Sequence, residues 1–149
     1  MEISDLLSDA ITHYGGPGLA FVSFSAATLL PFSSEAALMI AIWSGIGKTD
    51  AILWASLGNC SACAFNYGLG YWFGKGVEKK ITQSKTYSLW ADRMGSWGHW
   101  ALLLSFLPFI GDPITVLSGF FRQKLWIFVP LVFSLRILRY IVLAYGISF

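Results

Sequence analysis

Four charged side chains fall inside the apolar stretches of this chain, and their types define what chemistry it can do. They are Glu35, Asp112, Arg136 and Arg139. A carboxylate can take up and release a proton. A guanidinium offers a planar, permanently charged fork that fits a phosphate with two parallel hydrogen bonds. Each such charge at the centre of a bilayer costs about 2.5 to 3.5 kcal/mol on insertion scales. Unpaired, the four together would cost roughly 10 to 14 kcal/mol, which rivals the stability of a domain. They must therefore pair, protonate or line water. Arg136 and Arg139 stand three residues apart and share one helix face. Two acids and two arginines form a neutral set. Protonating Glu35 or Asp112 would release the arginines to hold an anion, so proton entry and anion binding would be coupled.

Both acids sit in matching motifs. Leu30-Pro31-Phe32-Ser33-Ser34-Glu35 and Leu107-Pro108-Phe109-Ile110-Gly111-Asp112 share the pattern Leu-Pro-Phe-x-x-acidic. A Ser-Gly pair follows each, at Ser44-Gly45 and Ser118-Gly119, and then a basic residue, Lys48 or Arg122. Proline breaks a helix, and the residue before a proline leaves the helical region. Pro31, Pro108, Gly111 and Pro113 therefore mark two breaks. Two copies entering from opposite faces would form an inverted repeat of discontinuous helices, the architecture of secondary transporters. Capping gives a simpler account of the same residues. Asp112 before Pro113 reads as an N-cap followed by the first helical residue, and Ser33 or Ser34 before Glu35 as another cap. The two accounts are compatible, because a helix N-terminus carries partial positive charge and free N–H groups that suit an anion.

The elements that position these residues follow from composition. The chain has 149 residues, 56% of them hydrophobic and 12% charged, with a net charge of +2. Soluble domains carry about 25% charged residues. So many apolar and aromatic residues exclude a disordered chain, and the weak net charge excludes a nucleic-acid footprint. A span needs about 20 apolar residues, so the expectation is an all-α polytopic membrane protein of one domain. Residues 2–14 read as an amphipathic helix lying in the interface, ended by Gly15-Gly16-Pro17-Gly18. Residues 19–47 read as a re-entrant hairpin and 51–74 as a full span. Residues 75–98 read as a basic connector, 100–121 as a second re-entrant hairpin and 125–149 as the last span. Lys48-Thr49-Asp50 and Arg122-Gln123-Lys124 read as turns. Seven of the ten basic residues lie between Lys75 and Lys124, which places that stretch on the cytoplasmic side. Ser33, Ser34, Asn59, Asn66 and Tyr140 would line a polar path.

Other chemistries find less support. Cys60 and Cys63 lack the second cysteine pair that a membrane thiol relay needs, so they read as small packing residues. His13 and His99 have no ligand-spaced partner. No nucleophile–base motif or phosphate-cradling loop is present, and no cofactor is implied, so the chain is expected not to be an enzyme. A proton-coupled cation exchanger could use Glu35 and Asp112, although the two arginines favour anions. A non-transporting assembly or structural factor would use the hairpins for packing alone. The expected partners are membrane lipids, an anionic phospholipid or polyprenyl phosphate substrate, protons, and a second copy of the chain to help enclose a polar path.

Leu57-Gly58-Asn59, Asn66-Tyr67-Gly68-Leu69-Gly70, Gly95-Ser96-Trp97, Gly111-Asp112-Pro113, Ser118-Gly119 and Arg139-Tyr140 together resemble the YqaA-type branch of the DedA superfamily, also called SNARE-associated or VTT. The resemblance implies a bacterial inner-membrane protein with two opposed re-entrant hairpins. It also implies transport of undecaprenyl phosphate, or scrambling of phospholipids. Carried over by position, the required residues would be Glu35, Asp112, Arg136 and Arg139, with Arg122 a further member. This chain is shorter than is usual for that superfamily.

Overall fold

The computed structural model describes residues 3–28, 33–81, 98, 100–107 and 110–146. All regular structure among them is helical. The elements are α1 (Ile3–Thr28), α2 (Ser34–Trp43), α3 (Lys48–Ile81), α4 (Gly111–Phe120) and α5 (Leu125–Gly146), with a 3-10 turn at Leu104–Phe106. Pro31, Pro108 and most of the 75–98 connector lie outside the described residues.

α1 is two helical arms joined at Gly15, whose φ of 59° and ψ of −131° are open only to glycine. The break falls where the Gly-Gly-Pro-Gly run places it. Pro17 opens the second arm, in a first turn where its missing N–H is not needed. A Cβ at Gly15 would meet nothing within 4 Å. Gly15→Ala is therefore expected to lower stability by the backbone term alone, about 1–3 kcal/mol. Thermal unfolding in detergent would read this as a lowered Tm, and an unchanged Tm would refute it.

The chain divides into two compact units. The first comprises Met1–Ala62 and Arg136–Phe149, the second Cys63–Leu135. Two of the three long helices are thus shared: α3 starts in the first unit and ends in the second, and α5 does the reverse. The core of the first unit gathers Ile11, Leu19, Val22, Leu38, Ile52 and Tyr140. Ile11 is only 1% exposed and packs in this core, whereas Tyr14 of the same apolar face is 67% exposed. In the second unit Cys63, Leu102, Ile114, Phe128 and Val132 pack together, with the rings of Tyr67 and Phe128 4.7 Å apart.

The internal repeat is stricter than its sequence motif. α2 and α4 are both ten residues long, and Glu35 and Asp112 each occupy the second helical position. Both helices end in the same hydrogen-bond pattern, in which a residue just past the end bonds back across the last turn. In the first copy, Gly45 donates to Ile42 and Ile46 to Ala41. In the second, Arg122 donates to Gly119 and Gln123 to Ser118. The next helix then starts at Lys48 or Leu125. All these landmarks are 77 residues apart (34 to 111, 43 to 120, 48 to 125). Under this register Ser44-Gly45 corresponds to Phe121-Arg122 and not to Ser118-Gly119, so the two Ser-Gly pairs match by coincidence.

Several local expectations need correction. α4 starts at Gly111 after Ile110, which makes no side-chain cap bond. Asp112 is therefore inside the first turn and is not an N-cap, and Pro113 is the third helical residue. Lys48-Thr49-Asp50 is the first turn of α3 rather than a loop. The basic connector begins as helix, because α3 runs on to Ile81. Among the described helices only α5, with mean hydropathy 2.0, is both long and apolar enough to cross a membrane. α3 has the length, but Asn59, Asn66 and its glycines dilute its apolar character.

Candidate functional site

α2 sets the first part of the site. Ser33 caps it in an extended conformation, its Oγ accepting from the Glu35 backbone N–H at 3.3 Å. The same hydroxyl donates to Glu35 Oε2 at 2.6 Å. The carboxylate is thereby held over its own helix N-terminus, where the partial positive charge of the helix favours it. Its other oxygen, Oε1, lies 3.3 Å from Arg139 Nη2 on α5. The Arg139 side chain is 8% exposed and that of Glu35 27%. The acid is therefore the more exposed half of the pair.

Around this pair lies a buried polar cluster. Asn59, fully buried on α3, donates from Nδ2 to Ser34 Oγ at 3.3 Å. Tyr140 is fully buried, with the Arg139 guanidinium 5.9 Å from its ring. Its hydroxyl lies among Ser34, Asn59, Arg136 and Arg139. Arg136 is 2% exposed. In the same unit, Ser23 on α1 and Ser56 on α3 bury hydroxyls that close no hydrogen bond among the described residues. Buried polar groups are almost always satisfied, so these two hydroxyls are exceptions within the unit. Ser56 was not anticipated. It stands three residues before Asn59, on the same face of α3, and that spacing was its available signal.

The second unit holds the other predicted residues. Asp112 is half-buried, and its backbone carbonyl accepts from Thr115 Oγ1 at 2.7 Å. Asn66 and Gly111 are buried, and Pro113 is exposed. Arg122 is exposed and takes φ of 52°, the only non-glycine residue with positive φ among those described. A left-handed conformation costs such a residue about 1–2 kcal/mol. Its guanidinium stacks 5.3 Å from the Tyr71 ring. The predicted set is thus distributed over both units, with Glu35, Ser33, Ser34, Asn59, Arg136, Arg139 and Tyr140 in the first.

Buried arginines and one helix long and apolar enough to cross a membrane, α5, fit a membrane protein. Residues 30–149 match the VTT domain, and the chain belongs to that family, within the DedA superfamily. It is 33% identical over 130 residues to the inner membrane protein YqaA of Escherichia coli, covering 82% of this chain and 83% of that protein. The same values hold for YqaA of Shigella flexneri. It is 30% identical over 135 residues to an uncharacterized protein of Haemophilus influenzae, covering 84% and 83%. No solved structure matches. These matches make it a bacterial membrane protein of the VTT family.

Proposed function

We propose that this protein moves a phosphate-bearing lipid, a polyprenyl phosphate or a phospholipid, across the bacterial inner membrane, with the movement coupled to a proton. The observation that carries this reading is the Glu35–Arg139 pair, set beside the buried polar residues Ser34, Asn59 and Tyr140. A proton on Glu35 removes the negative charge that Arg139 faces. The guanidinium is then available to a phosphate oxygen. Tyr140, Asn59 and the α2 N-terminus add donors on the same side of the chemistry. Loss of the proton restores the internal pair and expels the anion. Asp112, the repeat counterpart of Glu35, is the second proton-bearing group in this scheme. The two helix–break–helix segments act as re-entrant hairpins, letting the headgroup travel while the tail stays in lipid. Buried arginines suit an anion and oppose a cation exchanger.

Purification with native lipids followed by mass spectrometry tests the substrate class. A phosphorylated polyprenol or phospholipid should be enriched with the wild-type protein and fall by about tenfold in Arg136→Ala. Equal lipid content in both proteins would reject the assignment of Arg136 to the headgroup.

A further inference from the structure

Toward its C-terminal end, α3 is notched on its exposed side. Trp72, Phe73, Lys75 and Gly76 line a space of about 460 Å³ in the second unit. Successive residues of a helix are turned by about 100°. Gly76 therefore lies one turn beyond Trp72 and Phe73 and between them around the axis. With no side chain at Gly76, the two rings stand over bare backbone. A Cβ there would meet nothing within 4 Å. The ring centroids of Trp72 and Phe73 are 5.4 Å apart and tilted by 55°, and both residues are largely exposed.

The lining sets what fits. The indole and phenyl faces offer apolar contact. Among the described residues, Lys75 is the one charged group in the lining; it is exposed, and its ammonium offers donors only. A matching molecule is an amphiphile with an anionic, acceptor-rich head. Depth agrees with the chemistry. Ala51–Gly74 carries no charge, and Lys75 is the first charged residue after it. A tryptophan beside a lysine at the end of such a stretch marks the membrane–water boundary. Helical side chains lean toward the N-terminus, so the rings reach back toward the hydrocarbon. The Lys75 stem can turn its ammonium toward water. At that depth a lipid phosphate meets the top of its acyl chains, and a lysine there attracts anionic headgroups.

We propose that the notch of Trp72, Phe73, Lys75 and Gly76 binds an anionic phospholipid, with the phosphate on Lys75 and the upper part of one acyl chain between the rings. It shares no residue with the Glu35–Arg139 pair and does not depend on transport. Phosphatidylglycerol and phosphatidylcholine, each with a photoreactive diazirine near the top of one acyl chain, test it in vesicles holding the full chain. Mass spectrometry of the peptides then locates the label. In the wild-type protein, the peptide carrying Trp72 and Phe73 should be labelled about fivefold more by phosphatidylglycerol than by phosphatidylcholine. Gly76→Leu fills the notch from a position where an added Cβ meets no neighbour. It should cut labelling of that peptide by both lipids about fivefold. Lys75→Gln keeps the notch and should bring phosphatidylglycerol down to the level of phosphatidylcholine. Unchanged labelling in Gly76→Leu would overturn the notch, and an unchanged preference in Lys75→Gln would overturn the headgroup assignment. The measurement reads lipid contact and not transport, so its failure and the failure of the proposed activity are distinguishable.

Discussion

Arg139→Ala is expected to lower headgroup translocation in reconstituted vesicles by about 100-fold or more, the equivalent of roughly 3 kcal/mol. The substitution removes the cation 3.3 Å from Glu35 and with it the fork proposed to hold the phosphate. Breaking a buried pair from one side typically costs about 3–5 kcal/mol of stability. Here the cost should be smaller, because Glu35 is partly exposed and keeps the Ser33 hydroxyl at 2.6 Å. The double variant Glu35→Gln with Arg139→Ala separates the two roles. Removing both charges should restore most of the lost stability while transport stays low. Recovery of transport in the double variant would show that the pair only holds the helices together.

Gly119→Ala and Gly70→Ala should each destabilise the protein by about 3 kcal/mol, at the upper end for overpacking. A Cβ on Gly119 would collide with the Tyr67 carbonyl oxygen, and one on Gly70 with that of Val116. In both cases the obstacle is backbone, which cannot swing away as a side chain can. α3 and α4 touch main chain to main chain at this crossing, as close-packed membrane helices do through small residues. Gly68 and Gly76 lie on the same helix, with nothing within 4 Å of an added Cβ. Alanine there should be neutral or stabilising by up to about 1 kcal/mol. Thermal aggregation of detergent-solubilised variants, followed by size exclusion, would rank the four. A uniform response would mean that helix propensity, not the crossing, sets the effect.

Much of the site was legible because charge in an apolar segment is so costly that it demands an explanation. That argument singled out Glu35 and Arg139 without any knowledge of where they meet. It could not say that Arg139 meets Glu35, because that depends on how α5 turns against α2. The bond between Asn59 and Ser34 was hidden for the same reason: polarity marked both residues, but only packing pairs them. The Asp-Pro reading failed differently. The local rule makes Asp112 a cap, yet α4 begins one residue earlier, at Gly111. The acid still lies in the first turn, where the helix dipole favours it. The Ser-Gly pairs misled because a glycine that ends a helix and a glycine that admits a neighbouring backbone look alike in sequence. Gly45 does the first and Gly119 the second.

The sharing of α5 between the two units also fixes an order of events during synthesis. Glu35 leaves the ribosome early, whereas the segment bearing Arg139 and Tyr140 belongs to the same unit but emerges after nearly all the intervening chain. Chains are made and begin to fold from the N-terminus. The nascent first half must therefore harbour an acid whose counter-charge does not yet exist. What it does have, two residues away, is the hydroxyl of Ser33. That short local bond, available from the first moment α2 forms, can shelter the carboxyl group until the last helix arrives.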